Sequence, residues 1–389
     1  MRGVKYGRRM RRGFVAWALA AAGIRLFIAQ PEHCPTVTDA SLRHAIDETI
    51  AWATRTQGND GRWIYRYDTV TDRDVAEYEM VRHAGLILML NEAATAGFEQ
   101  ARVPAQRGDE YARTQLLRRD DWIALGGGDA TTLIDVGASA LWLAALSYES
   151  SPDLDTMRGL ARFLAQNVFA NGAVAEKWDP TTGRPKPDQY SPFFTGETLW
   201  ALTRMHRLAP TEGWDHVVDR ILHYVATERE EAEGWFPPIP DHWVSYALAE
   251  ITTWRALDRD ELAYAHRIAA LESLQIRYES QRTNSWFSKL TRGKQALGAG
   301  VGAMTEALAA LWRASGRDPQ LRDDRGVLAE RAKCAAGQLV ARQVDAREAQ
   351  RYVRPDAVQG TWLHNGETQI DDQQHSVSGL LAVLEIVNA

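Results

Sequence analysis

Three clusters of side chains in this sequence have the types and spacing to do chemistry. In Tyr78-Glu79-Met80-Val81-Arg82-His83, Glu79 and His83 stand four residues apart, and Glu79 and Arg82 three, so on a helix they share one face. Such a face offers a carboxylate tuned by an imidazole and a guanidinium able to hold a substrate carboxylate. A buried ion pair within the helix is the plain structural alternative. In Phe193-Phe194-Thr195-Gly196-Glu197-Thr198-Leu199-Trp200, Glu197 is the one ionisable group of an apolar helix start. Burial there raises a carboxyl pKa and fits it for general acid work; capping of free backbone N–H groups is the alternative. Ile370-Asp371-Asp372-Gln373-Gln374-His375 opens the last apolar stretch. One Asp answers the capping and dipole needs of a helix start. Two, followed by Gln373 and by His375 four residues after Asp371, exceed them.

Single polar residues head the other apolar stretches: Thr132 and Asp135, then Asp188, Tyr190 and Ser191, then Asp241 and His242. These spacings assign Glu197, Glu79, Asp372 and His83 to catalysis. Tyr78, Arg82, Asp135, Tyr190, His242, Asp371, Gln373 and His375 are assigned to substrate binding. A metal held by Asp371 and His375 would have two ligands, and no HExxH or CxxC pattern accompanies them. No metal and no cofactor are therefore expected. Walker, GxSxG, Rossmann and kinase signatures are absent as well.

The elements that must position these groups repeat. A charged helical stretch, a Gly-bearing turn with a Trp, and an apolar helical stretch recur six times. The expected helices are 42–56 and 75–95, a pair ending near 120 and at 147, then 153–167 and 193–207, 213–229 and 241–254, 258–280 and 296–314, and 325–343 and 371–387. The turns carry Trp63, Trp122, Trp178, Trp235, Trp286 and Trp362, which read as wedges between hairpins more than as sugar platforms. The prolines of 237–240 read as a rigid lid. The fifth hairpin is nearly bare of polar groups, with Gly298 and Gly300 where small residues leave room for a ligand. A repeated helical hairpin cannot bury both faces alone, so neighbours must stack. The second helix of each pair is apolar all round and reads as buried; the first is amphipathic and reads as an outer layer. Twelve helices in two layers make an all-α (α/α)6 toroid, with an open solenoid as the competitor. In a toroid the inner helices run the same way, and their N-terminal ends surround one mouth.

Residues 31–389 read as this single domain. Residues 1–30 differ: a basic stretch to Gly13 precedes an apolar run interrupted by Arg25. That is the pattern of a signal peptide or signal anchor, so the protein is expected to be exported or membrane-anchored in the periplasm or envelope. Outside this arm the chain is acidic, within a formal net charge of −6, which argues against a nucleic-acid partner. Cys34 and Cys334 form no metal pattern, and no pairing follows from their spacing. One exposed and one buried thiol are the expectation.

The six hairpins, with the phrases YEMVRHAG, FFTGETLWAL and IDDQQHSVSGLLA, resemble the six-hairpin (α/α)6 toroid superfamily of glycosidases, polysaccharide lyases and uronate or hexosamine epimerases. The resemblance spans nearly the whole chain and is architectural. It implies action on a poly- or oligosaccharide by Glu79, Arg82, His83, Glu197, Asp372 and His375. A hydrolase would pair Glu197 as acid with Asp372 or Glu79 as base. A lyase or epimerase would move a proton with Tyr or His while Arg82 holds a uronate carboxylate. A terpenoid cyclase or prenyltransferase-like toroid also pairs Gln with Trp in its turns, but its Asp-x-Asp-Asp motif is missing here. A non-catalytic envelope protein that binds glycan or a partner is the third reading.

Overall fold

The computed structural model describes residues 3–27, 30–126, 132–187, 189–234, 241–284, 286, 290 and 300–389. After an N-terminal helix α1 (Gly3–Phe27) come six helical pairs. They are α2 (Asp39–Thr56) and α3 (Met80–Thr95); α4 (Arg102–Thr114) and α5 (Val136–Leu146); α6 (Leu154–Gln166) and α7 (Phe194–Leu208); α8 (Trp214–Thr227) and α9 (His242–Ile251); α10 (Arg259–Asn284) and α11 (Gly300–Ser315); and α12 (Arg325–Arg342) and α13 (Ile370–Asn388).

Local chemistry sets these helices. α2 starts at Thr38, whose hydroxyl accepts from the Ser41 N–H at 3.1 Å while the Ser41 hydroxyl accepts from the Thr38 N–H at 2.9 Å, a reciprocal capping box. Its buried residues, Leu42, Ala45, Ile46, Thr49, Ile50 and Ala53, follow helical spacing along one face. α3 is buried without a break from His83 to Leu90, and α5 along its whole length. Such helices cannot face water, which places them inside.

The inner helices pack in sequence, α3 on α5, α5 on α7, α7 on α9, α9 on α11 and α11 on α13, and α13 returns to α3. That last contact closes the ring and excludes the open solenoid. At the step before it, a Cβ on Gly302 would stand 2.5 Å from the His375 carbonyl carbon, so only glycine lets α11 and α13 approach this closely. The small residues of the fifth hairpin thus serve helix packing as well as space. Gly298 and the prolines of 237–240 lie outside the described residues.

Short strands join the connections at one end of the ring: β1 (Arg66–Asp68), β2 (Arg73–Asp74), β3 (Leu116–Arg118), β4 (Ile123–Leu125), β5 (Ile134–Asp135), β6 (Lys177–Asp179), β7 (Arg184–Pro185), β8 (Leu363–His364) and β9 (Glu367–Gln369). β1 pairs with β9 antiparallel, Arg66 opposite Gln369, and so stitches the first hairpin to the last. β5 pairs with β6 and joins the second hairpin to the third. Trp63 and Trp362 are buried, and each indole N–H donates to a carbonyl of the outer helix of its own hairpin, Ala53 at 3.0 Å and Leu339 at 2.8 Å. Trp122 and Trp178 stack edge-on, ring centres 5.0 Å apart. Trp286 departs from the pattern at 59% exposed, and Trp235 lies outside the described residues.

One expectation changes. Cys34 and Cys334 are not separate thiols; they form a disulfide. The connector before α2 runs along α12, with the Pro35 carbonyl in the space a Gly337 Cβ would take and Glu32 in an ion pair with Arg331. Proximity across 300 residues is created by ring closure, which brings the last outer helix back to the start of the chain. Cys34→Ser is expected to cost about 2–5 kcal/mol of stability, read as a lower urea midpoint; an unchanged midpoint would show that this strap contributes nothing. At the N-terminus, α1 stands apart from the core, with Phe14 at 72% and Trp17 at 71% exposure. No helix among the described residues is long and apolar enough to cross a membrane, in keeping with Arg25 inside the apolar run.

Candidate active site

The N-terminal ends of the inner helices surround a cavity of about 490 Å³. Glu79, the N-cap of α3, and Arg82 form one wall. Arg82 is a hub there: it donates to Glu79 at 2.8 Å and to the Tyr65 hydroxyl, and lies 3.8 Å from Asp371 of α13. Asp135, the N-cap of α5, pairs with Lys177 of β6 across the wall. Glu197 reaches over the start of α5, where a Cβ on Gly137 would stand 2.2 Å from its Oε2. That oxygen is buried without a hydrogen-bond partner. Burial raises the Glu197 pKa well above the usual carboxyl range, and the charge of Asp241 adds to it.

Two imidazoles form the floor. His242 and His375 meet edge to face, ring centres 4.7 Å apart. His375 Nδ1 lies 2.7 Å from Glu306 Oε2, and Glu306 Oε1 accepts from the Tyr246 hydroxyl at 3.1 Å. Burial works against charge on His375, but the Glu306 carboxylate outweighs it and holds the pKa up at about 9. His242 goes the other way. Burial first, and then the neighbouring His375 cation, push its pKa well below the ordinary histidine value. Its Nε2 is buried with no hydrogen-bond partner. At neutral pH the floor therefore pairs one imidazolium with one neutral imidazole, the division of charge that an acid and a base require.

His242, Glu306 and His375 also bring three metal-ligand atoms within 4.8 Å of one another. The 2.7 Å between His375 Nδ1 and Glu306 Oε2 is a hydrogen-bond distance. Two ligands of one tetrahedral ion would stand roughly 3.3 Å apart, so the spacing as it stands is that of an ion pair.

No family model and no curated protein matches the sequence. Solved structures do match. A D-mannose isomerase aligns with a TM-score of 0.57 at 12% identity, over 90% of this chain and 98% of that one. The cellobiose 2-epimerase of Spirochaeta thermophila DSM 6192 aligns with a TM-score of 0.58 at 13% identity, over 90% and 97%. A glycoside hydrolase family 76 mannosidase from Bacteroides thetaiotaomicron VPI-5482 aligns with a TM-score of 0.52 at 11% identity, over 89% and 100%, and a type II terpene cyclase from Scytonema is also among the matches. The fold is an (α/α)6 toroid. At these identities the likeness speaks for the fold, and the chemistry rests on the site.

Of the residues assigned from sequence, the toroid mouth gathers Glu79, Arg82, Asp135, Glu197, His242, Asp371 and His375. Five others are placed elsewhere. α3 begins at Met80, so Tyr78 and Glu79 precede the helix and Glu79 does not share a helical face with His83. The Glu79 carboxylate pairs with Arg82. His83 is buried between Tyr78, whose hydroxyl is 2.7 Å from its Nδ1, and the Gly108 carbonyl, 2.9 Å from its Nε2. Burial lowers its pKa to about 4. Tyr78 and His83 belong to the wall between the first two hairpins, not to the cavity. Gln373 clamps the last turn, its side chain accepting from the Trp362 N–H at 2.8 Å and donating to the Trp362 carbonyl at 3.1 Å. Asp372 is buried beside the cavity without lining it, its pKa raised to about 8 by burial and by Asp371. Tyr190 packs against the core. Asp188 lies outside the described residues.

Sequence reasoning missed Glu306 and Lys177, and also Glu272 of α10, a buried carboxyl on the cavity wall whose pKa burial raises to about 8. Glu306 carries the same signal as Glu197, a lone carboxylate in an apolar helix, but the small residues around it dominate the pattern of that helix.

Proposed function

We propose that this toroid is a sugar epimerase that moves a proton at the carbon beside the carbonyl of an open-chain aldose, the reducing end of an oligosaccharide included. The observation that carries this reading is the pair His242 and His375, in contact on the cavity floor, with burial favouring a neutral His242 and the Glu306 carboxylate at 2.7 Å favouring a charged His375. Neutral His242 removes the C2 proton, and the C–H electron pair moves into a C1–C2 double bond as the carbonyl π electrons pass to O1. The enolate turns about its C2–C3 bond, and His375, charged through Glu306, returns a proton to the face of C2 now turned to the floor as the electrons on O1 re-form the carbonyl. Delivery to C1 with a carbonyl at C2 would make the enzyme an isomerase. Arg82 and Asp135 stand where sugar hydroxyls would bind. The sugar epimerases among the fold relatives support the reading.

A second reading has its own observation. Glu197, buried with an unpartnered oxygen on the cavity wall, has the properties of a glycosidase acid. Incubation with glucose, mannose and cellobiose in D2O, followed by NMR, separates the two. Deuterium at C2 and a C2 epimer, both lost in His242→Ala, are the expected result. New reducing ends from an oligosaccharide, with no exchange at C2 and loss in Glu197→Gln, would replace the epimerase with a hydrolase. Ligand-dependent thermal stabilisation without any product would make the protein a binder. Export belongs to the same proposal: the Cys34–Cys334 bond fits an oxidising compartment and the basic-then-apolar arm fits a signal. Its check is the compartment in which the full chain accumulates.

A further inference from the structure

The toroid has a second cavity at its other end. It holds about 550 Å³ and is bounded by the C-terminal ends of the inner helices. Its cations gather around few carboxylates. Arg204 and Arg207 of α7 both pair with Glu250 at the end of α9, and Arg317, just past α11, donates to the adjacent Ala249 carbonyl at 2.6 Å. Two guanidinium groups thus share one carboxylate, and a third sits on the carbonyl of the residue before it. Arg313 takes Glu385 through two hydrogen bonds of 2.8 Å. The remaining acid of the lining, Glu92, is raised to about 7 by burial, so it offsets the arginines only in part. A cavity with surplus positive charge stands out in an acidic body.

Cations at helix C-termini are expected from the dipole alone. The dipole does not call for a concave chamber, nor for two guanidinium groups on one carboxylate with a third beside them. Arg204 is fixed as part of a built wall: its guanidinium lies 4.2 Å from the centre of the Tyr148 ring and donates to the Ser147 hydroxyl at 2.8 Å. Arg207 and Arg317 are exposed at the rim and keep donors for an incoming group. Planar guanidinium forks match phosphate and carboxylate oxygens.

We propose that this second mouth binds a small organic dianion, through a phosphate or carboxylate group held by Arg207 and Arg317. The chamber is several times larger than orthophosphate and has room for the organic part beside Tyr148 and Tyr246. Tyr246 lines this chamber while its hydroxyl donates to Glu306, so an occupant would touch a residue one hydrogen bond from the floor of the first cavity.

The inference is independent of the epimerase reading, because binding is measured without turnover. Thermal shift and calorimetric titration of the full chain would use orthophosphate, a hexose 6-phosphate and citrate, each against chloride at equal ionic strength. The expected result is a specific rise in Tm and a Kd that weakens at least tenfold in the double variant Arg207→Ala, Arg317→Ala. Both residues lie at the rim, and the variant's unchanged Tm in chloride checks that it folds. Tightest binding by the hexose phosphate identifies a phosphate ester; tightest binding by citrate identifies a polycarboxylate. No shift beyond chloride, or an equal Kd in the double variant, overturns the proposal.

Discussion

His375→Asn is expected to lower kcat for epimerisation by about 10²–10⁴-fold, the usual contribution of a positioned acid or base, with little change in KM. Asn keeps a polar group near Glu306 but carries no proton to the carbon centre. The substitution also leaves Glu306 without the cation that opposes its burial. Its pKa, raised by burial in the wild type, would then rise further, and it would take up a proton and become neutral; the variant should fold. The pH profile gives a second check. The working state needs His375 charged, so wild-type kcat is expected to fall as pH rises through about 9. On the acid side, His242 gains a proton only well below the ordinary histidine pKa, so activity should persist through mildly acidic pH. A wild-type profile with a midpoint near the ordinary histidine value of about 6.5, or a His375→Asn enzyme of normal kcat, would remove the histidine pair from the mechanism.

Arg229→Met is expected to cost about 3–5 kcal/mol of stability, because it strips the partner from a buried carboxylate. Arg229 donates to Asp241 at 2.7 Å, to Glu233 at 3.1 Å and to the Pro192 carbonyl at 2.7 Å. Asp241 in turn caps the helix that begins with His242, accepting from the Trp243 N–H at 3.1 Å. It is fully buried, and a Cβ on Gly196 would stand 2.3 Å from its Oδ1, so the carboxylate is closely packed on that side. The sign of the pH effect follows. Burial already raises the Asp241 pKa, and loss of the cation raises it further. A carboxyl with a folded pKa above its unfolded one loses stability as pH rises between the two values. The deficit of Arg229→Met should therefore be large at pH 7 and smaller at pH 5, measured by urea unfolding. A deficit independent of pH would mean that Arg229 acts by packing alone.

Part of the site is legible in the amino-acid sequence. Glu197 stands out as a lone carboxylate in an apolar helix, and Asp371 and His375 exceed what a helix cap needs; all three line the cavity. The YEMVRHAG cluster is harder. Its i, i+4 reading assumes a helix through Glu79, whereas the helix starts one residue later, and His83 turns to Tyr78 and Gly108 in the neighbouring hairpin. Asp371 and Asp372 look equivalent in sequence, yet one lines the cavity and the other is buried beside it. One step along a helix turns a side chain by about 100°.

By itself the sequence determined the alternation of amphipathic and apolar helices, their sixfold count, and hence the layering of outer on inner helices. Those properties are local: each depends on periodicity and turn chemistry within one hairpin. What only the tertiary structure decided is which polar groups face the axis, that Glu306 and His375 share a hydrogen bond across 69 residues, and that Cys34 meets Cys334. The physical reason is the same in each case. A helix that is apolar on every side carries no signal for the direction of its one polar residue, and the charge state of that residue depends on neighbours that arrive from other hairpins when the ring closes.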